Sequence, residues 1–400
     1  MRPVDLPDAL PDGSRFIHIG LPKTGTTALQ GALDRARPRL EELGAHNVGR
    51  GRHEMRVGQV AAGGLAEFWQ GRWEDRWQAL AAEFRGSEAR CTFWSSESLS
   101  HATGDRVQYL ADQLGADTHV VVTLRPLAPL MVSQWQQWLR RRGTQSLEEW
   151  AANQFAAVTV EGEVTIDYIR FMPSLHRFSL RRIIEEWGPV FGEDRIVLVV
   201  PDPVDRDRTF RVFEALMGVP EVLEAVPEGN ASLPYPEAEM LRQFNRAYTD
   251  HGGDHPTWME AIGVLARVPL RDYTNTLTPH PIRAPRWVAE RANEYAAAWN
   301  AAVEDSGVTV VGDLADLLVD PAGYAEEVEV PATVDVESAG RLMDVAFTAA
   351  LRHAARQHDS APATTSELTT PDLTTPDLTT YGGRQLLGEL GRRARRRVSR

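Results

Sequence analysis

Short apolar runs alternate with longer stretches of helical spacing over the first half of the chain. RFIHIG (15–20), RCTFWSSE (90–97), THVVVTLR (118–125) and DRIVLVVP (194–201) are short and rich in β-branched residues. They are apolar throughout rather than alternating, as strands covered on both faces are. Between them the spacing turns helical. One helix is predicted from about Thr26 to Leu43. Another, EFWQGRWEDRWQALAAEF, puts Trp69, Trp73, Trp77, Leu80 and Phe84 at helical intervals. That recurrence reads as core packing in preference to a sugar-stacking surface. Strands alternating with helices predict crossover connections, hence an α/β fold of three layers around a central, mainly parallel sheet.

From about residue 235 helical patterns dominate, in PEAEMLRQFNRAYTDHG, RWVAERANEYAAAWNAAVEDSG and ESAGRLMDVAFTAALRHAARQ. GVTVVG (307–312) offers one more short strand. The expected organisation is an irregular segment over 1–14, then a main domain over 15–330. Within it the core spans 15–250 and a helical part 235–330. A C-terminal helix (331–358), a linker (359–381) and a basic tail (382–400) follow. The linker contains ELTTPDLTTPDLTTY, a polar five-residue period that cannot build a core. From Arg384 onward the tail holds seven Arg against one Glu. Its plain reading is a solvated, disordered segment, and its sharper one is contact with anionic lipid or another acidic surface.

Composition narrows the function. A formal charge of −13 argues against nucleic acid as a partner. The one cysteine, Cys91, rules out an internal disulfide or a Cys-rich metal site, and its apolar setting predicts an inert thiol. The N-terminal residues contain no apolar leader core, and no 18-residue apolar run occurs. The expectation is a cytoplasmic protein without a membrane span, peripheral to a membrane only if the tail makes its sharper contact.

The chemistry concentrates in RFIHIGLPKTGTTALQGAL, a strand entering a Gly-containing turn and then a helix. Gly20 and Gly25 have the spacing of a nucleotide-triphosphatase phosphate loop, G-x-x-x-x-G-K-[ST]. Thr26 occupies the position of that loop's lysine. Lys23, the one lysine of an Arg-rich chain, lies inside the turn instead. The anion-binding physics survives: Gly25 lets backbone approach an anion, and the helix start offers N–H groups and a favourable dipole. Thr26 and Thr27 add hydroxyl donors. Lys23 adds a flexible point charge. The third run ends in Arg125 where a Mg²⁺-holding Asp would be expected, which weakens a Mg–triphosphate reading. Arg125 begins a second anion signal, LRPLAPLMVSQW, with Ser133 eight residues on in the following helix. Both signals fall at C-terminal ends of parallel strands, where open α/β sheets bind ligands. Together they imply a ligand with two separated anionic groups.

GLPKTGTTALQ resembles the 5′-phosphosulfate loop of sulfotransferases that use 3′-phosphoadenosine 5′-phosphosulfate. LRPLAPLMVSQW is similar to their 3′-phosphate motif, although Pro126 and Leu127 stand where the family has an Asp after the Arg. RIVLVVPDPVDRDRTFRVFEALMGVP and GNASLPYPEAEMLRQFN resemble later segments, the second common in bacterial members. The likeness spans roughly residues 15–250. It implies a P-loop-like fold in which Lys23, Thr24, Gly25, Thr26 and Thr27 hold the 5′-phosphosulfate. Arg125 and Ser133 would hold the 3′-phosphate, with Asn230 and Ser232 as further contacts to nucleotide or acceptor; a turn and helix start would explain those two equally well. Trp135 or Trp138 would stack on adenine. The implied activity is sulfuryl transfer from that co-substrate to a hydroxyl or amine of a carbohydrate, lipid or small metabolite, with no metal. Lys23 would then stabilise charge developing on the bridging oxygen.

A base must take the acceptor's proton. Glu97, at the end of the second run, is the first candidate; a carboxylate that only caps the next helix or pairs with a basic group is the competing reading. His53, in GRGRHEM, is the second. His46, Glu54 and His101 remain open. Two other classes stand beside the transferase. One is a kinase-like phosphotransferase on the same scaffold, which requires Mg²⁺ and ATP. The other is a non-catalytic nucleotide-binding protein.

Overall fold

The computed structural model divides the chain into two units, Met1–His353 and Ala354–Arg400. The described residues are 6–51, 54–64, 67–165, 174–225, 232–258 and 281–340, with single positions up to 351. The second unit, with the repeat and the basic tail, lies outside them.

Among the described residues six strands form one sheet: β1 (Ser14–His18), β2 (Ala45–Asn47), β3 (Cys91–Ser95), β4 (His119–Thr123), β5 (Ile196–Val199) and β6 (Thr309–Val311). Their order is β2-β3-β1-β4-β5-β6, and every pairing is parallel. β1 is central, flanked by β3 and β4. The helices α1 (Thr26–Arg35), α2 (Arg37–Glu42), α3 (Met55–Ala61), α4 (Glu67–Gly86), α5 (Asp105–Leu114), α6 (Leu127–Leu139) and α7 (Leu147–Ala157) fall in the first half. α8 (Ser174–Arg177), α9 (Leu180–Phe191), α10 (Arg208–Met217), α11 (Tyr235–Asp250), α12 (His255–Trp258) and α13 (Arg286–Glu304) follow.

The continuous apolar strands now have their cause. Alternate side chains enter two separate cores, one on each face of the sheet. Ile17, Val120, Val122, Ile196 and Leu198 join the larger core with residues of α4, α5, α6, α9 and α13. Phe16, Phe93, Val121, Val197 and Val199 join the smaller one with residues of α1, α2 and α10. Phe16 stacks on Phe93 at 5.2 Å and meets the edge of Phe213. The predicted three-layer α/β architecture is what forms. Trp77 is fully buried and donates to the Tyr109 hydroxyl at 2.9 Å, so it serves the core. Cys91 is buried too, and burial pushes its thiol up to about 12, which makes it inert.

Three sequence expectations are corrected. The helix predicted over 26–43 is two helices meeting at Ala36, because Pro38 in the first turn of α2 has no N–H to continue α1's ladder. β2 was not expected: it is a three-residue edge strand, AHN, too short to show a pattern. The other strands stop short of the predicted ends where the chain turns away. Residues 97–101 coil into a 3₁₀ turn after β3, and Pro126 caps α6 just after β4.

Candidate active site

The loop joining β1 to α1 lies at the C-terminal edge of the sheet. Two positions carry its shape. Lys23 has φ 70°, a left-handed conformation that a residue with a Cβ adopts at a cost of roughly 1 kcal/mol or more. Gly25, at φ 93°, is the N-cap of α1. Gly20 matters for closeness instead. A Cβ there would stand 2.4 Å from Thr26 Cγ2 and 2.6 Å from His18 Nε2.

His18 is fully buried beneath this loop. Its Nδ1 lies 2.7 Å from Ser95 Oγ on β3, and its Nε2 3.0 Å from Thr123 Oγ1 on β4. Thr123 Oγ1 is 2.9 Å from Thr24 Oγ1, and Thr24 donates to the Leu21 carbonyl at 2.7 Å. Each hydroxyl has one proton, so the directions follow. Thr24 spends its proton on Leu21 and therefore accepts from Thr123. Thr123 then accepts from His18 Nε2–H, which leaves Nδ1 to accept from Ser95. Ser95 in turn accepts from Gln30 Nε2 at 3.2 Å. The imidazole is the neutral Nε2–H tautomer. Burial brings its pKa down to about 3, which agrees with that assignment.

Glu97 opens the 3₁₀ turn after β3 and is half-buried. Its Oε2 accepts from Thr26 Oγ1 at 2.6 Å. The carboxylate is thus aimed at the first residue of α1, and no side-chain cap is formed at its own turn. Arg125 Nη1 donates to the Lys23 carbonyl at 3.0 Å, so the arginine just after β4 holds the strained crest of the loop. Lys23 is half-buried, and its pKa is lowered first by desolvation and then by Arg140; Glu97 pulls it back up, while Arg125 and Arg141 lower it further. An ammonium whose pKa is lowered gives up a proton more readily. Of the 43 basic residues in the sequence, Lys23 is the only lysine.

Lys23, Thr24, Thr26, Glu97 and Arg125 therefore meet at one sheet edge. Ser133 is half-buried on α6, the helix that Arg125 precedes. Ser232 is exposed, and the next residue, Leu233, donates its N–H to Gln136 of the same helix at 2.9 Å. Thr27 follows Thr26 on the first turn of α1. Asn230 and His53 lie outside the described residues. Trp135 is removed from the binding surface: it is fully buried, and its indole N–H goes to the Gln145 carbonyl. Trp138 is 38% exposed. His46 is held between Glu41 and Glu83, and Glu54 is engaged by Arg76, so both are occupied elsewhere. A groove of about 620 Å³ opens over Thr144, Glu149, Arg242 and Arg246, but no phosphate-type loop borders it. Chemistry rather than size selects the site.

Sequence reasoning passed over His18. Its only signal is a polar residue inside an apolar strand, RFIHIG.

Two outcomes test this geometry. The folded pKa of His18, about 3, lies below the ordinary 6.5. Between those values the unfolded chain binds a proton that the native chain does not. Stability is complete above pH 6.5 and falls as pH drops, by roughly 2 kcal/mol at pH 5 relative to pH 8. Chemical denaturation at both pH values should show His18→Gln losing that much less than the parent. Gly20→Ala should cost ~1–3 kcal/mol and lower the melting temperature, because the new methyl overlaps Thr26 and His18.

No protein-family model matches the chain, and no curated protein matches it. Among solved structures, the crystal structure of a sulfotransferase from Alicyclobacillus acidocaldarius is similar at 17% identity, covering 62% of this chain and 99% of that one, with a TM-score of 0.37. That likeness is too slight to carry an argument, so the functional reading rests on the chain's own residues.

Proposed function

We propose that the protein is a sulfotransferase. It moves the sulfuryl group of 3′-phosphoadenosine 5′-phosphosulfate to a hydroxyl or amine of a small-molecule, glycan or lipid acceptor. The observation that carries this reading is the loop's displaced cation. The only lysine sits at the left-handed crest of a phosphate-type loop, and Thr26 stands where a triphosphatase has its lysine. Beside it lies a carboxylate, Glu97, tied to that same Thr26.

In this reading the N–H groups of the loop and of Thr26, with the Thr27 hydroxyl, bind the 5′-phosphosulfate, and Arg125 and Ser133 bind the 3′-phosphate. Glu97 accepts the acceptor's proton. The acceptor oxygen forms its bond to sulfur as the bond between sulfur and the bridging oxygen breaks. The electron pair goes to the 5′-phosphate, where the Lys23 ammonium offsets the growing charge. That charge exists only as the bond breaks, so the lysine favours the transition state over the ground state. Arg125 has a further part, because its bond to the Lys23 carbonyl holds the backbone from which the ammonium extends. The reading requires no metal.

The test is calorimetric titration with adenosine 3′,5′-bisphosphate, with and without Mg²⁺, followed by an acceptor screen with labelled sulfate donor. Tight binding that is indifferent to Mg²⁺ is expected. Mg²⁺-dependent ATP binding in its place would favour a kinase-like reading. Lys23→Ala should cut turnover by about 100-fold or more. Glu97→Gln should do the same; full activity in that variant would remove Glu97 as the base.

A further inference from the structure

The turn that carries Glu97 ends in His101. Three arginines act on His101, and their surroundings differ. Arg182 is buried and has a counter-charge: Glu186 lies at 3.0 Å, and the Ser100 and Ala102 carbonyls accept at 3.0 and 3.3 Å, while its Nε, like that of Arg177, has no partner. Arg182 is therefore structural, fixing the 97–101 turn to α9. Arg177, at the end of α8, is different. Its Nη1 meets His101 Nε2 at 3.5 Å, its Nε is buried without a partner, and among the described residues no carboxylate pairs with it. Burial, then Arg141 and then Arg182 bring its pKa down to about 10. Arg141 also acts on His101 and on Lys23, so its charge is felt at both the turn and the loop.

A half-buried guanidinium without a counter-charge, near two others, is costly to keep. An arginine fork matches phosphate, sulfate or carboxylate oxygens, and such an anion would supply the missing charge. The donor's anionic groups already have the loop, Arg125 and Ser133. Arg177 lies at His101, the last residue of the 3₁₀ turn that Glu97 opens.

We propose that Arg177, beside His101, forms a subsite for an anionic group carried by the acceptor. The substrate class is then a hydroxyl or amine compound that already bears a phosphate, a sulfate or a carboxylate. Arg177 would hold that charge and so place the nucleophilic oxygen or nitrogen at Glu97. This rests on the transferase reading for the word acceptor, while the anion subsite itself can be tested without it.

Inorganic phosphate, inorganic sulfate and acetate are titrated into full-length Lys23→Ala protein, which lacks the loop cation, and into Lys23→Ala/Arg177→Gln. At least one anion should bind the first, about tenfold or more tightly than the second. The anion preferred names the acceptor's group. Equal affinities in the two proteins, or no binding to the first, would overturn the subsite. Circular dichroism checks folding, and Arg177→Lys replaces Arg177→Gln if the latter does not fold. Adenosine 3′,5′-bisphosphate is titrated separately into the parent and Arg177→Gln proteins. Its affinity should change by less than about twofold. A larger loss would assign Arg177 to the donor and overturn the subsite as drawn. Absence of nucleotide binding in the parent would sink the transferase reading and leave the phosphate comparison intact.

Discussion

One directional row of hydrogen bonds ties the loop to the sheet. It runs from Gln30 through Ser95, His18, Thr123 and Thr24 to the Leu21 carbonyl. Three neighbouring strands, the loop and α1 contribute to it. Its sense is set by the carbonyl at one end and the amide N–H at the other. A buried row of this kind is stabilising only while every member is satisfied. A second proton on His18 would leave Nδ1 and Ser95 Oγ–H pointing at each other. The neutral imidazole is thus a requirement of the packing, and the strained backbone at Lys23 sits above a foundation with one arrangement.

Above that foundation the electrostatics are lopsided. Around Lys23 the charges of Arg140, Arg125 and Arg141 are opposed by one carboxylate, Glu97. The chain as a whole is strongly acidic. A local cationic concentration on a negative body directs anionic ligands to this edge and discourages their binding elsewhere.

Much of this was legible in the order of residues. The alternation of strands and helices showed the α/β class, because strands covered on both faces must be apolar at every position. The loop was legible because its Gly25, Lys23 and threonines are contiguous. What stayed hidden depends on contacts between distant segments. His18 meets Thr123 across 105 positions, and Arg177 meets His101 across 76. No spacing rule connects such pairs. The break at Ala36 was hidden for a different reason: apolar periodicity ran on through Pro38, and a single missing N–H outweighed it. Trp135 misled in the opposite sense. It follows Ser133 closely, but helical geometry turns it into the core.

The solitary lysine has a consequence for how the protein can be observed. Forty-two arginines and one lysine mean that only one side chain in the sequence ends in a primary amine. Amine-directed reagents therefore reach a single side-chain target, and it lies at the crest of the loop. Isotopic methylation would give one side-chain resonance that reports directly on whatever approaches that edge. The composition turns a chemically ordinary group into a unique address, and the left-handed backbone at Lys23 fixes where that address lies.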